Sequence, residues 1–214
     1  MTTRKRPTRR AVPEGSAPVP VDGSLDALHD AAMACKRCPL WKPATQTVFG
    51  EGPSNARVLV VGEQPGDQED LSGHPFVGPS GNLFDRALEE LGIDRSAIYV
   101  TNAVKHFKFE RKGKVRLHKS PNASEQRACR LWLEGELERV APEVVVCLGA
   151  IASRNVFGPA FRVTKQRGTW RQLADGTRAF ATVHPSSVLR ARGDEARHAA
   201  YRGFVADLAL LLDL

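Results

Sequence analysis

Four short apolar runs constrain this chain more than any other feature: Arg57 to Gly62, Ile98 to Thr101, Val144 to Leu148 and Ala179 to Val183. Each is apolar almost throughout rather than alternating, the pattern of a strand covered on both faces. Helical periodicity lies between and around them, at Leu25 to Met33, Ser80 to Leu91, Ala123 to Val140 and Asp194 to Leu212. Strands alternating with helices predict an α/β fold, a single three-layer α/β/α domain around a mostly parallel four-stranded central sheet. With 214 residues, 42% of them hydrophobic, the chain can fill one core, and the domain is expected over residues 24–214. No run of about 18 apolar residues is present and the N-terminus lacks an apolar leader, so the chain reads as a soluble, cytoplasmic protein without a membrane partner.

The net charge of +7 fits a polyanionic partner, but its distribution carries the argument. Residues 1–23 hold five cationic side chains among four prolines and read as a disordered basic arm. The denser cluster lies inside the folded part. From Lys105 to Lys119, seven lysines and arginines face the single acid Glu110, which predicts a basic, phosphate-contacting loop insertion at about 105–120.

In a doubly wound sheet the ligand sits outside the carboxyl ends of the strands. The residues that follow the four strands are chemically unusual: Glu63-Gln64-Pro65-Gly66-Asp67, then Asn102, then Gly149-Ala150, then His184-Pro185-Ser186-Ser187. The first of these loops crowds Glu63, Asp67, Glu69 and Asp70 around a sharp turn. Such carboxylates either form a solvated acidic turn or stabilise positive charge at an anomeric carbon in a dry site. Phe76, fixed between Pro75 and Gly78 two residues on, either fills the core or stacks a base. Asn102 either caps a turn or reads a pyrimidine edge. His118, in a basic and polar segment, is either a solvated side chain or a neutral imidazole able to act as nucleophile or base. His184 is either a satisfied core histidine or a donor to a developing anion.

Four cysteines in an intracellular chain argue for a metal or cluster over disulfides. Cys35 and Cys38 form a Cys-x-x-Cys followed by Pro39, which suits iron-sulfur ligation. Cys129 and Cys147 are too far apart for a zinc ribbon, and Cys147 reads equally as an ordinary buried cysteine in a strand.

Taken together, Cys-x-x-Cys-Pro, Gly-Glu-x-Pro-Gly, Pro-Phe-Val-Gly-Pro-Ser-Gly, Thr101-Asn102, Cys129, Cys147-Leu148-Gly149 and His184-Pro185-Ser186-Ser187 resemble the iron-sulfur branch of the uracil-DNA glycosylase superfamily. The resemblance runs from about Leu25 to the C-terminus. Gln64 and the basic segment further resemble the UdgX-like group, whose loop pattern Lys-Arg-Arg-Ile-His is matched here by Lys114-Val115-Arg116-Leu117-His118. Valine stands where that pattern has its first arginine.

The resemblance implies a 4Fe-4S cluster on Cys35, Cys38, Cys129 and Cys147, and uracil-containing DNA as the partner of a monomer, with single strands favoured. It implies that Phe76 stacks the flipped uracil, Asn102 reads its edge, and Gln64 and His184 help to hold it. Glu63 and Asp67 would stabilise the sugar cation, and His118 would bond covalently to the deoxyribose. Arg116 and Arg190 are expected to contact the DNA. Two other readings fit the same residues: a turnover glycosylase that releases free abasic DNA, and a non-catalytic binder of uracil-bearing or damaged single strands.

Overall fold

The computed structural model describes Pro20 and residues 23–214. The basic arm expected over residues 1–23 therefore falls, apart from Pro20 and Gly23, outside the described residues. In chain order the elements are α1 (Leu25–Met33), β1 (Val58–Gly62), α2 (Asp67–Ser72), α3 (Pro79–Glu90), β2 (Ile98–Asn102), β3 (Phe109–Lys112), β4 (Val115–His118), α4 (Ala123–Val140), β5 (Val144–Leu148), α5 (Gly149–Phe157), α6 (Val163–Gln166), β6 (Arg171–Gln172), β7 (Arg178–Thr182), α7 (Pro185–Leu189) and α8 (Asp194–Leu208).

The central sheet has the order β2-β1-β5-β7-β6 and is parallel except for β6. It has five strands rather than the expected four. The fifth, Arg171–Gln172, is a two-residue antiparallel edge, too short to leave a periodic signal. Successive side chains of each parallel strand enter opposite layers. Val60, Val100, Val146 and Phe180 pack with α3, α7 and α8, while Leu59, Val61, Tyr99, Val145, Cys147 and Ala181 pack toward α4 and α5. Covering both faces is what made these strands apolar throughout.

Local signals set the helix limits. Asn122 caps α4 through Ser124 N and Glu125 N, Glu125 returns the bond to Asn122 N, and Ala141 closes the helix in a left-handed conformation. A third apolar cluster, built from α1, the Cys35–Cys38 loop and the first turns of α4, sits beside the main core.

The segment expected as a basic loop is a two-stranded antiparallel hairpin, with Phe109 opposite His118 and Lys112 opposite Val115. Its root is not solvated. Lys105, His106 and Phe107 are buried, so Lys105 is unavailable to a phosphate; the cationic surface begins further out, at Arg111, Lys112, Lys114 and Lys119.

Candidate active site

The chain passes from β1 to β2 on one side and later returns to β5 on the other, leaving a crevice at the carboxyl ends of the strands. A cleft of about 930 Å³ opens there. Its lining includes Glu63, Gln64, Asp67, Phe76, Asn102, His118, His184 and Arg190, residues drawn from four separate loops and the hairpin. Of the residues selected for catalysis or substrate contact, Arg116 is the one outside that lining.

The floor of the cleft depends on close packing at the end of β1. Gly62 pairs in register with Asn102, and a Cβ on Gly62 would overlap the Asn102 side-chain oxygen and lie 2.8 Å from Phe76 Cζ. Phe76 itself adopts φ 61°, unusual for an aromatic residue, and such a conformation persists only where its surroundings enforce it. Gly81, whose Cβ would collide with the Phe76 carbonyl, and Glu69, which accepts from Gly78 N at 2.8 Å and Gly66 N at 3.0 Å, provide that enforcement. Glu69 was not legible as a site residue from sequence, where it appeared as one acid among several.

His118 projects from the end of β4. Its Nε2 lies 3.8 Å from Glu63 Oε1, a buried oxygen with no hydrogen-bond partner among the described residues. Burial holds the His118 pKa below its ordinary value, assisted by the positive charge of Arg190 and opposed by Glu63. On the opposite loop, His184 Nδ1 accepts from Ser186 N at 3.2 Å and faces Ser186 Oγ at 2.8 Å. The neutral ring therefore carries its proton on Nε2, leaving a donor for the cleft. Enclosure depresses the His184 pKa to about 4, with His118 and Arg190 acting in the same direction.

Three sequence-selected residues are engaged differently from expectation. Gln64 was expected to hold the base, but its amide is taken up by the hairpin: Nε2 donates to the carbonyls of Lys108 (3.1 Å) and Lys119 (3.2 Å), and Oε1 accepts from Lys108 N (3.2 Å). Arg116 was expected to contact DNA, but it bonds Asp67 and, at 2.6 Å, Asp70, and it lies against the rings of Phe107 and Phe109. Asp67, expected beneath the sugar, is paired with that guanidinium. Together these contacts clamp both roots of the hairpin and one of its faces to β1 and α2. Asp70, fully buried and also accepting from Thr45 N, is a clamp residue that sequence reading did not single out.

Cys35, Cys38 and Cys129 share one apolar cluster and form no disulfides. Trp132 Nε1 donates to Cys35 Sγ at 3.1 Å, and Lys105 N donates to Cys129 Sγ at 3.2 Å. Cys147 does not join them. It packs in the α4 and α5 layer of the main core, in register with Val61 and Ala181, and burial alone raises its pKa. The residue after Lys105, whose amide bonds Cys129, is His106: it is bonded through Nε2 to Thr47 Oγ1 at 3.0 Å, and its Nδ1 is buried without a partner among the described residues. Thr47 donates in turn to the Ala32 carbonyl, three residues before Cys35. Among the described residues no three His, Cys, Asp or Glu side chains converge as they would around a single metal ion.

Residues 49–209 match the uracil DNA glycosylase superfamily. The chain is 37% identical over 174 residues to a type-4 uracil-DNA glycosylase of Thermotoga maritima, covering 81% of this chain and 87% of that protein. It is 33% identical to the type-4 uracil-DNA glycosylase of Sulfurisphaera tokodaii, covering 78% and 76%. A type-5 uracil-DNA glycosylase of Pyrobaculum aerophilum is 32% identical over 199 residues, covering 77% and 83%.

Proposed function

This chain belongs to the uracil DNA glycosylase superfamily, and from that premise we propose that it excises uracil from DNA and then captures the abasic sugar covalently on His118. The observation that carries the second step is the placement of a half-exposed, hard-to-protonate imidazole 3.8 Å from the unpartnered Glu63 oxygen, on a hairpin clamped to the cleft. A water-using site needs a carboxylate to orient water, whereas here an imidazole stands beside that carboxylate.

A flipped deoxyuridine would enter with its base against Phe76 and its edge toward Asn102. When the glycosidic bond breaks, its electron pair leaves with uracil N1, and the His184 Nε2–H stabilises the uracil anion. The Glu63 carboxylate, whose Oε1 has no hydrogen-bond partner among the described residues, supports the positive charge left on the sugar. The His118 imidazole then supplies a lone pair to the anomeric carbon, and the ring proton it loses neutralises the departing uracil anion, giving a neutral adduct with no good leaving path. One protein molecule is consumed per site.

The same family reading supplies a 4Fe-4S cluster, and the donor set here fits it with one change. Three buried thiols share a cluster, and burial pushes Cys129 up to about 12, so it becomes a thiolate only against strong positive charge. We assign the fourth donor to His106, which adjoins the Cys129-bonded Lys105 and whose Nδ1 has no partner among the described residues, in place of Cys147, which packs in a different apolar cluster. When bound, the cluster would tie the Cys35–Cys38 loop to α4 and to the turn after β2.

The test is incubation with a uracil-containing oligonucleotide, boiling in detergent and denaturing electrophoresis, with a thymine oligonucleotide as control. A uracil-dependent shifted band that is lost in His118→Ala, while free uracil is still released, is the expected result. Abasic DNA without that band would leave a turnover glycosylase.

A further inference from the structure

The residue that follows the strand β2 by three positions is a fully buried lysine, and all three of its ammonium hydrogens are used. Lys105 Nζ donates to Glu136 Oε2 at 2.5 Å, Thr101 Oγ1 at 2.6 Å and the Asn102 carbonyl at 2.8 Å. Both members of the ion pair are 0% exposed. The other carboxylate oxygen, Glu136 Oε1, accepts from Gly50 N, Tyr99 Oη and Thr101 Oγ1. Removing two charges from water costs several kcal/mol per ion, and a buried pair rarely stabilises a fold more than apolar residues of the same volume would. What such a pair does supply is geometry, because every lone pair and proton must be satisfied at once.

The geometry it imposes is that of Asn102. That residue ends β2 beneath the cleft, its side chain lies over Gly62 beside the Phe76 ring, and its carbonyl is held by the ammonium. The following amides, Ala103 N and Val104 N, bond to the carbonyls of Gly62 and Glu63, so the turn is fixed from both sides. Lys105 is itself anchored: its amide donates to Cys129 Sγ and its carbonyl accepts from Val48 N. Cys129 and Glu136 stand seven residues apart on α4, two turns along one face. One helix face therefore grips Lys105 by its main chain and by its side chain.

We propose that Lys105, neutralised by Glu136, is a positioning residue for base readout, locking the Asn102 peptide so that its amide meets the uracil edge in one orientation. This rests on the uracil-excising reading. The effect runs through Asn102, so removing the pair and removing the Asn102 amide must not add.

The experiment measures the concentration of free uracil that inhibits uracil release from an oligonucleotide, in the full chain and in Lys105→Met/Glu136→Gln, Asn102→Ala and the triple variant. The paired substitution removes both charges and keeps an acceptor at position 136. Expected is a rise of about tenfold in the inhibition constant for the paired variant, the order of one lost well-placed hydrogen bond, and no further rise when it is added to Asn102→Ala. Thr101→Val removes the hydroxyl shared by Lys105 and Glu136 with little change of volume; it provides the same cycle should the paired variant not fold, with a smaller shift in the same direction. An unchanged inhibition constant, or losses that add to those of Asn102→Ala, overturns the proposal while leaving uracil excision intact. A wild-type chain that releases no uracil overturns both.

Discussion

Glu63 Oε1 and His118 Nε2 lie 3.8 Å apart across the mouth of the cleft, although 55 positions separate the two residues in the chain. That pairing sets a carboxylate of the β1 loop beside an imidazole of a hairpin strand, and the proposed chemistry rests on it.

The first consequence is a pH dependence. His118 and His184 are both held below the ordinary value of 6.5, chiefly by burial, and Arg190 pushes both in that direction. Their neutral forms therefore persist as pH falls, and the acid limb of adduct formation should lie below 6.5. Arg190→Gln should move that limb upward. Stability follows the same groups: the unfolded chain protonates first, so the contribution from a neutral His184 is present above 6.5 and lost as pH falls toward about 4. Rate profiles on a denaturing gel and melting curves across that interval check both statements.

Replacing Glu63 by Gln removes the negative charge beside the cleft without changing its shape. Uracil release should fall by about a hundredfold or more, since the lost interaction acts on charge that develops only in the transition state. Adduct formation should fall in parallel, as it consumes the same sugar cation. Single-turnover release of uracil measures the first and the gel band the second.

If His118 captures the sugar as proposed, the hairpin clamp should separate cleavage from capture. Arg116→Ala leaves Asp70 buried without its cation and uncovers the rings of Phe107 and Phe109, a loss on the order of 3 kcal/mol at this partly buried site. Gln64→Ala removes three hydrogen bonds to the hairpin roots. Both variants should slow adduct formation more than uracil release. Faster hydrogen exchange over residues 109–118 would accompany the change.

The cluster ligands make a colour test. Cys129→Ala and His106→Ala should lose the brown visible absorption of an iron-sulfur protein. Cys147→Ala should keep it, with a modest drop in melting temperature from the small cavity in β5. Iron and sulfide analysis of the three purified variants decides between His106 and Cys147.

The cationic face of the hairpin should contribute to DNA affinity through counterion release. Exchanging Lys112 and Lys114 for Gln should reduce the salt slope of binding by about one unit per lost phosphate contact. Exchanging Lys105 should not alter that slope, because its side chain is sealed within the protein.

Much of this was legible in one dimension. The valine-rich runs specified the four parallel strands because burial on both faces leaves an apolar signature that no long-range contact is needed to read, and helical periodicity over Ala123 to Val140 located α4 because that period is local. The rule that ligands gather at strand ends then placed Glu63, Asn102 and His184 around one cleft. What only the tertiary structure decided is how the side chains were employed once together. Lys105 and Arg116 belong to one run of like charges, yet the first is buried on Glu136 and the second on Asp67 and Asp70, because each carboxylate partner comes from a distant segment. Gln64 is engaged by the hairpin roots, and Cys147 is directed into the main core by strand register while Cys35, Cys38 and Cys129 gather in another cluster. Charge and residue type are properties of the sequence; which partner satisfies a buried charge or an unpaired donor depends on packing between segments far apart in the chain.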